Sequence, residues 1–213
     1  MKCKICGTGS FADLKCAVDA GTDAVGFLMG ITHVTQDTVT PEEAAAMIRT
    51  LPPFIEPVAV THLQDARSII DIIQRSRCTT VQIQNTISLE DITMIRDALP
   101  YIRILKAVHV MDASALNTAQ EVAAYADAII LDTRTPERLG GTGLTHDWTI
   151  SAKIVKSVGI PVILAGGLTP ENVAAAIRQV HPYAVDVHTG VKKNDVRDAL
   201  KTKAFVEAAH TTI

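Results

Sequence analysis

The chain has 213 residues and a mass of 22.8 kDa; 47% of its residues are hydrophobic, 20% are charged, and the mean hydropathy is +0.22. This balance is typical of a folded globular protein, and the formal net charge of −3 offers no basic surface to nucleic acid or to anionic lipid. The four cysteines, at positions 3, 6, 16 and 78, do not form a disulfide pattern, and no apolar run has the length of a membrane span. We therefore expect a soluble, cytoplasmic protein.

Short apolar runs alternate with helical patterns along the whole chain. The strand-like runs lie at 3–6, 24–29, 57–63, 80–84, 102–108, 128–133, 161–166 and 184–190. The clearest helical patterns lie at 11–21, 41–51, 65–76, 88–99 and 170–180. Strand–helix alternation requires right-handed crossovers and a parallel sheet. Eight such units close most naturally as an α/β protein of the (β/α)8 TIM-barrel type, with eight parallel strands and a single domain over 1–213.

A doubly wound sheet is the competing architecture. Such sheets usually have fewer strands, and no G-x-G-x-x-G follows the first run. The helix boundaries are predicted by two Thr-Pro-Glu sequences, in which Thr40 and Thr169 would be N-caps, and by Gly21 after the first helix.

The first run contains Cys3 and Cys6, a C-x-x-C spacing that zinc sites and redox pairs also have. Side chains of a strand alternate between its faces, so residues three apart point in opposite directions. Lys4 and Cys6 therefore share one face and Cys3 lies on the other, which argues against a metal ligand pair or a disulfide. In a barrel, Cys6 would face the lumen at the catalytic rim, and we expect this thiol to carry chemistry.

Glycine turns follow the last two strand-like runs. Gly166 and Gly167 follow the seventh run, and Thr189 and Gly190 follow the eighth. Glycines let the backbone approach an anion with its N–H groups, and barrels commonly bind phosphate in the loops after strands seven and eight. Either turn alone is typical of a tight loop, but the two together predict a phosphate site.

Asp132 ends the sixth run, inside an otherwise apolar stretch, and a glycine-rich loop follows it. A carboxylate at a strand end can cap or anchor a loop. Facing a thiol across a pocket, it supplies an acid to match a base.

Three histidines also lie at predicted strand ends: His62, His109 and His188. They come from different strands and show no local spacing of metal ligands. We expect them to form hydrogen bonds to substrate or to neighbouring groups, and we expect no metal.

These motifs resemble those of the phosphoribosylanthranilate isomerase family, barrel enzymes of tryptophan biosynthesis. KICG at 4–7 resembles the family's K-I-C-G, and LDTRTPERLGGTGLTHDW at 131–148 resembles L-D-T-x-T-P-x-x-G-G-x-G-x-x-x-D-W. LAGGLTPENV at 164–173 resembles L-x-G-G-L-x-P-E-N-V, and AVDVHTGVK at 184–192 resembles x-V-D-V-x-S-G-V-E. The likeness is collinear over nearly the whole chain.

The resemblance implies an Amadori rearrangement of an N-(5-phosphoribosyl) amine to a 1-amino-1-deoxyribulose 5-phosphate, with no metal or organic cofactor. Asp132 would be the general acid and Cys6 the general base, with Lys4 favouring the thiolate. Asp186 would face the ribosyl hydroxyls. The residues implied to hold the phosphate are Gly143, Gly166, Gly167, Thr189 and Gly190.

The chain departs from the family pattern in the part expected to bind the amine. Where the family has an arginine in K-S-x-R-x-[IV]-[ST]-P, this chain has Asp37, which would repel a carboxylate. Gln84 stands in place of the histidine of Q-L-H-G. A carboxylate could instead be recruited by His33 or Lys106.

Alternative functions remain open on the sequence. The chain could be an isomerase, lyase or synthase acting on a different phosphosugar, for which a Schiff base at Lys4 or Lys106 would be diagnostic. It could also be a non-catalytic barrel that binds a phosphosugar. The partner is expected to be a small-molecule phosphosugar, with no nucleic acid or membrane, and the protein a monomer or a homodimer.

Overall fold

The computed structural model describes residues 1–32, 35–133 and 145–212. Within these ranges, eight parallel strands form a closed barrel in the order β1 to β8, and β1 pairs with both β2 and β8. A helix follows each strand, so the predicted (β/α)8 TIM barrel is confirmed.

The barrel strands are β1 (Lys2–Ile5), β2 (Ala24–Leu28), β3 (Glu56–Thr61), β4 (Thr80–Ile83), β5 (Arg103–His109), β6 (Ala128–Asp132), β7 (Val162–Leu164) and β8 (Ala184–Val187). The helices are α1 (Phe11–Asp19), α2 (Pro41–Ile48), α3 (Ala66–Ser76), α4 (Leu89–Ala98), α5 (Ala115–Val122), α6 (Trp148–Ser157), α7 (Val173–Val180) and α8 (Ala199–Thr211). None of these helices combines the length and the apolar composition that a membrane-spanning segment needs.

The segment between β8 and α8 contains structure that the sequence did not predict. A short 3-10 helix (Thr189–Val191) is followed by an antiparallel hairpin of β9 (Lys192–Lys193) and β10 (Val196–Arg197). This hairpin lies at the carboxyl end of the barrel, where active sites of such folds are built.

Alternation along the strands separates the helix-packed core from the lumen. In β1, Cys3 and Ile5 belong to the core that the helices cover. Lys4 bonds on the lumen side to its neighbour Asp186 of β8, and Cys6 packs with lumen side chains. The predicted division of faces is therefore confirmed.

Two of the three predicted helix boundaries are confirmed. Thr40 caps α2 in a reciprocal capping box with Glu43, and Gly21 follows α1 with φ of 85°. The N-cap prediction for Thr169 is wrong, because α7 begins only at Val173. The Asn172 side chain accepts a hydrogen bond from the Thr169 N–H at 2.8 Å, which holds these residues in a turn.

Candidate active site

A buried ion pair joins the neighbouring strands β1 and β8 on the lumen face of the barrel. Lys4 Nζ donates to Asp186 Oδ1 at 2.9 Å, and the two side chains are only 6% and 8% exposed. Burial lowers the pKa of Lys4, but Asp186 and Cys6 outweigh it, and the pKa ends above its ordinary value. Lys4 is therefore a fixed cation beside the thiol.

Cys6 lies directly after β1 with its thiol buried in the lumen. Burial raises its pKa to about 11, against the opposing effect of the Lys4 ammonium. Gly26 makes room for both groups: a Cβ at this position would lie 2.9 Å from Cys6 Sγ and 3.1 Å from Lys4 Cε. The thiol is thus packed against a cation on the inner face of the barrel.

Arg197 holds the backbone around Cys6. Its Nη2 donates to the carbonyl oxygens of Cys6 at 2.6 Å and of Gly7 at 2.8 Å. This contact could not be predicted from the sequence, because Arg197 comes from the unpredicted hairpin. Its charge also acts to lower the pKa of the Cys6 thiol, although less than burial raises it.

Asp132 ends β6 with its carboxyl buried. Gln84 Nε2 donates to Asp132 Oδ2 at 3.0 Å, and the Thr133 N–H donates to Asp132 Oδ1 at 2.7 Å. Burial raises the pKa of Asp132 to about 6, although both hydrogen bonds act to lower it. The lumen therefore contains a carboxyl whose proton affinity lies close to physiological pH.

The two glycine turns predicted to bind phosphate lie against each other. A Cβ on Gly190 would lie 1.9 Å from the carbonyl oxygen of Leu168, so only glycine fits where the turns after β7 and β8 meet. Gly166 and Gly167 have φ of 85° and 64°. Within the described part of the chain, the backbone N–H groups of Gly167, Thr189 and Gly190 donate to no acceptor. These donors are available to an anion.

Asp37 is buried in a network that joins distant loops. Its Oδ2 accepts hydrogen bonds from His188 Nε2, at 2.8 Å, and from Lys192 Nζ. Burial would raise the pKa of Asp37, but the hydrogen bonds from His188 and Lys192 outweigh it and hold the pKa below its ordinary value. The charge of Asp37 is therefore balanced by the segment that follows β8.

The structure does not bring Lys106 together with the lumen groups. It alternates with Leu105 and Ala107 of the lumen and shares the helix-facing side of β5 with Ile104 and Val108. Its Nζ donates to the Ala107 carbonyl oxygen at 2.9 Å, and burial lowers its pKa to about 8. Two other predicted positions, His33 and Gly143, lie outside the described residues.

The strand-end histidines have separate contacts. His62 Nδ1 lies 2.9 Å from Thr32 Oγ1, His109 Nε2 lies 3.0 Å from the Gln84 carbonyl oxygen, and His188 contacts Asp37. Among the described residues, no three His, Cys, Asp or Glu side chains are grouped so that they could hold a metal ion.

A closed parallel barrel with titratable groups gathered at the carboxyl ends of its strands is the architecture of the (β/α)8-barrel enzymes. The family model for N-(5'-phosphoribosyl)anthranilate (PRA) isomerase matches residues 3–208. The chain belongs to this family.

Relatives and solved structures agree with the family assignment. The chain is 41% identical over 212 residues to N-(5'-phosphoribosyl)anthranilate isomerase 2 of Methanosarcina mazei, covering 98% of this chain and 94% of that protein. It is 38% identical to the isomerase of Methanocella arvoryzae, covering 98% of each. The phosphoribosyl anthranilate isomerase structure of Thermotoga maritima superimposes with a TM-score of 0.87 at 31% identity, covering 99% of this chain and 98% of that chain.

A structure of phosphoribosyl anthranilate isomerase in complex with reduced 1-(o-carboxyphenylamino)-1-deoxyribulose 5-phosphate is also similar. Its TM-score is 0.84 at 29% identity, covering 99% of this chain and 98% of that chain.

Proposed function

We propose that this protein isomerises N-(5'-phosphoribosyl)anthranilate to 1-(o-carboxyphenylamino)-1-deoxyribulose 5-phosphate, an aldose–ketose isomerisation of tryptophan biosynthesis. The observation that carries the proposal is the lumen itself, in which a buried thiol beside a cation and a buried carboxyl with raised pKa share one face of the barrel. The family assignment supports the same reaction.

Asp132 is the general acid of the first step. Its proton passes to the ribose ring oxygen, the bond from C1′ to that oxygen breaks, and the amine lone pair forms the C1′=N bond of a protonated Schiff base. Asp132 is left as a carboxylate, which Gln84 and the Thr133 N–H stabilise by hydrogen bonds.

Cys6 is the general base of the second step. Its thiolate takes the proton from C2′, and the C–H electron pair forms the C1′=C2′ bond of an enolamine while the C1′=N π electrons return to nitrogen. The enolamine then gains a proton at C1′ and loses the proton of its 2′-hydroxyl, which gives the ketone. The cations Lys4 and Arg197 stabilise the thiolate. Lys4 does not form a Schiff base in this scheme, because its raised pKa keeps the amine protonated. A lyase of that type is therefore not favoured.

The substrate's phosphate is held by the two glycine turns. The free N–H groups of Gly167, Thr189 and Gly190 are suited to an anion, and Gly166 shapes the turn. Asp186 faces the lumen beside Lys4, where it accepts hydrogen bonds from ribosyl hydroxyls. Gly143 and His33 remain predicted contacts of the phosphate and of the amine half.

Asp37 does not exclude a substrate that carries a carboxylate. Lys192 balances its charge and His188 donates a hydrogen bond to it, so an approaching anion meets a paired group rather than an isolated carboxylate. A different amine is therefore not required by the exchange of arginine for aspartate, and phosphoribosylanthranilate is the substrate we propose.

We propose a single-domain cytoplasmic enzyme. The acid, the base and the phosphate turns all belong to one barrel, and a general base at Cys6 requires a compartment in which this thiol stays reduced.

We also propose that the protein is a homodimer joined at the amino-terminal face of the barrel. Phe54 is fully exposed there, on the rim of a cavity of about 520 Å³ whose walls include Ala24, Ala128 and Ala184. An aromatic side chain beside an apolar opening suits a two-fold contact with a second copy, in which each ring enters the other cavity. A phosphoribosylanthranilate isomerase of Thermotoga maritima is described as dimeric.

The test of the function is turnover of freshly made phosphoribosylanthranilate, followed by loss of its fluorescence. We expect the wild-type protein to be active and the Cys6→Ala and Asp132→Asn variants to lose at least about 10²-fold in kcat, the typical effect of removing a general acid or base. Cys16→Ala is the matched control, because this cysteine is half-buried on α1, outside the lumen.

Substantial turnover by Cys6→Ala would contradict the role of the thiol. A folded wild-type protein without turnover that still binds ribose 5-phosphate would contradict the choice of amine while leaving the phosphate site standing.

A further inference from the structure

Two glutamines and the proposed acid form a hydrogen-bonded chain inside the barrel. Gln82 Nε2 donates to Gln84 Oε1 at 3.1 Å, and Gln84 Nε2 donates to Asp132 Oδ2 at 3.0 Å. These residues are 2%, 6% and 7% exposed, so bulk water does not readily replace any partner in the chain. The chain runs from β4 to β6, past the intervening β5.

The present direction of the hydrogen bonds favours the ionised form of Asp132. Both carboxyl oxygens accept hydrogen bonds, one from the Gln84 amide and one from the Thr133 N–H. A proton on the Oδ2 lone pair that faces Gln84 would meet its NH2 group, donor against donor. Asp132 can hold its proton there without a clash only if the Gln84 amide turns its oxygen toward the carboxyl.

Gln82 controls whether Gln84 can turn. In the present direction Gln82 presents its NH2 group to Gln84, and a reversed Gln84 would place a second NH2 group against it. Gln82 must then turn as well and present Oε1, the atom that is now buried without a hydrogen-bond partner. In either direction both hydrogen bonds are made, and one polar atom of the Gln82 amide is left without a partner. Neither direction therefore has more hydrogen bonds than the other.

We propose that Gln82 and Gln84 are positioning residues that form a two-amide relay, whose hydrogen-bond direction reverses as Asp132 gains and loses the proton used in catalysis. The assignment of that proton to the substrate rests on the proposed function. The relay itself rests on the three buried side chains and their two hydrogen bonds.

The other titratable groups around Asp132 do not replace the relay. Among the described residues they are Lys4 on β1, Asp186 on β8, His109 beside it on β5, and His146, which contacts Thr133. The charge of Lys4 favours the ionised acid and that of Asp186 the protonated acid, so this ion pair partly cancels itself. Burial lowers the pKa of His146 to about 4, so this imidazole is neutral near pH 7. His109 Nε2 lies 3.0 Å from the backbone carbonyl oxygen of Gln84.

The test compares the pKa of Asp132 in the variants Gln84→Met, Gln82→Met and the double variant. The pKa is read from the side-chain carboxyl signal by carbon-13 NMR, with Asp132→Asn to assign the signal. Methionine keeps the length of glutamine without donor or acceptor of comparable strength, and leucine variants serve as replacements if a methionine variant does not fold.

We expect Gln84→Met to raise the pKa of Asp132 above about 6, because the carboxylate loses a donor. Gln82→Met should raise it too, although Gln82 does not touch Asp132, because Gln84 is then free to turn its oxygen to the acid. The double variant should match Gln84→Met alone, since Gln82 acts through Gln84. A rise of one unit would increase the protonated fraction of Asp132 about fivefold at pH 7 and nearly tenfold from pH 8 upward.

Thr80→Val is the matched control. Thr80 is a buried polar residue on the lumen face of β4. Its hydroxyl donates a hydrogen bond to Glu56, which is not part of the Gln82–Gln84–Asp132 network. The relay is overturned if Gln82→Met leaves the pKa of Asp132 unchanged, or if Thr80→Val shifts it as much. Because the titration needs no turnover, failure of the isomerase assay with the expected pKa pattern would overturn the function and retain the relay.

Discussion

The pKa values of Cys6 and Asp132 stand in the opposite order to the one the reaction needs. Catalysis requires a protonated acid and an ionised thiol, yet the thiol has the higher pKa, about 11 against about 6. At any pH between these values, the fraction of free protein in the productive state is about 10⁻⁵, set by the five-unit difference between 11 and 6. Substrate binding must therefore bring the two values together.

This order predicts the pH dependence of kcat/KM. Below pH 6 Asp132 stays protonated and the thiolate fraction falls tenfold per unit, so kcat/KM should fall with decreasing pH. Above pH 6 the loss of the acid's proton and the gain of thiolate cancel, so kcat/KM should change little between pH 7 and the onset of protein instability. Initial rates at low substrate concentration, from pH 5 to pH 9, would test this.

The substrate's phosphate also ionises near pH 6. Inhibition by ribose 5-phosphate over the same pH range supplies the correction for this effect. A corrected kcat/KM that falls as pH rises from 6 to 8 would contradict this order. It would show that the pKa of the Cys6 thiol lies far below about 11.

At the scale of the elements, the turn after β7 is predicted to tolerate no side chain at Gly166. A Cβ there would lie 2.3 Å from Thr133 Oγ1 and 2.8 Å from the Thr133 N–H that holds Asp132, and its φ is 85°. Gly166→Ala should lower the free energy of unfolding by about 2 kcal/mol or more and reduce kcat by displacing the acid. Urea unfolding and the isomerase assay would measure the two effects.

Gly159→Ala is the control for the glycine substitution. No atom lies within 4 Å of a Cβ at Gly159, which precedes β7. This variant should remain within about 1 kcal/mol of wild type. Equal losses in the two variants would mean that the contact with Thr133 is not the cause.

The eight strands could be predicted because each is a short β-branched run between turn signals, and the alternation of side chains correctly assigned Lys4 and Cys6 to the lumen. The contacts of the loops could not be predicted from the sequence. Arg197 donates a hydrogen bond to the carbonyl oxygen of Cys6, 191 positions earlier in the sequence. Lys192 donates one to Asp37, 155 positions earlier. No local pattern encodes either contact, since only barrel closure brings these segments together.

Lys106 shows a second limit of prediction from sequence. A lysine in a barrel strand can contact substrate if it faces the lumen, but the register of β5 turns Lys106 toward the helices. If the predicted register of a strand is wrong by one residue, a side chain assigned to the lumen lies on the helix-facing side instead.

At the scale of the whole molecule, the proposed dimer predicts that Phe54→Asp dissociates the protein. A charge in place of the exposed ring would have to lose its hydration in the two-fold contact, and the apolar contact of the ring would be lost. Sedimentation equilibrium should give twice the chain mass of 22.8 kDa for the wild type and one chain mass for the variant.

Leu200→Asp is the control for association, since Leu200 is 82% exposed near the start of α8, at the opposite end of the barrel. It should remain dimeric. A wild-type protein of one chain mass would contradict the dimer.

The Lys4–Asp186 pair also constrains how the chain folds during synthesis. The two residues are 182 positions apart, so the first strand leaves the ribosome long before the last is made. Until β8 emerges, β1 lacks one of its two neighbours and Lys4 has no counter-ion in the lumen. We expect the nascent chain to remain incompletely folded until almost its entire length has been translated. Until then, its protection from aggregation would depend on chaperones or on rapid translation.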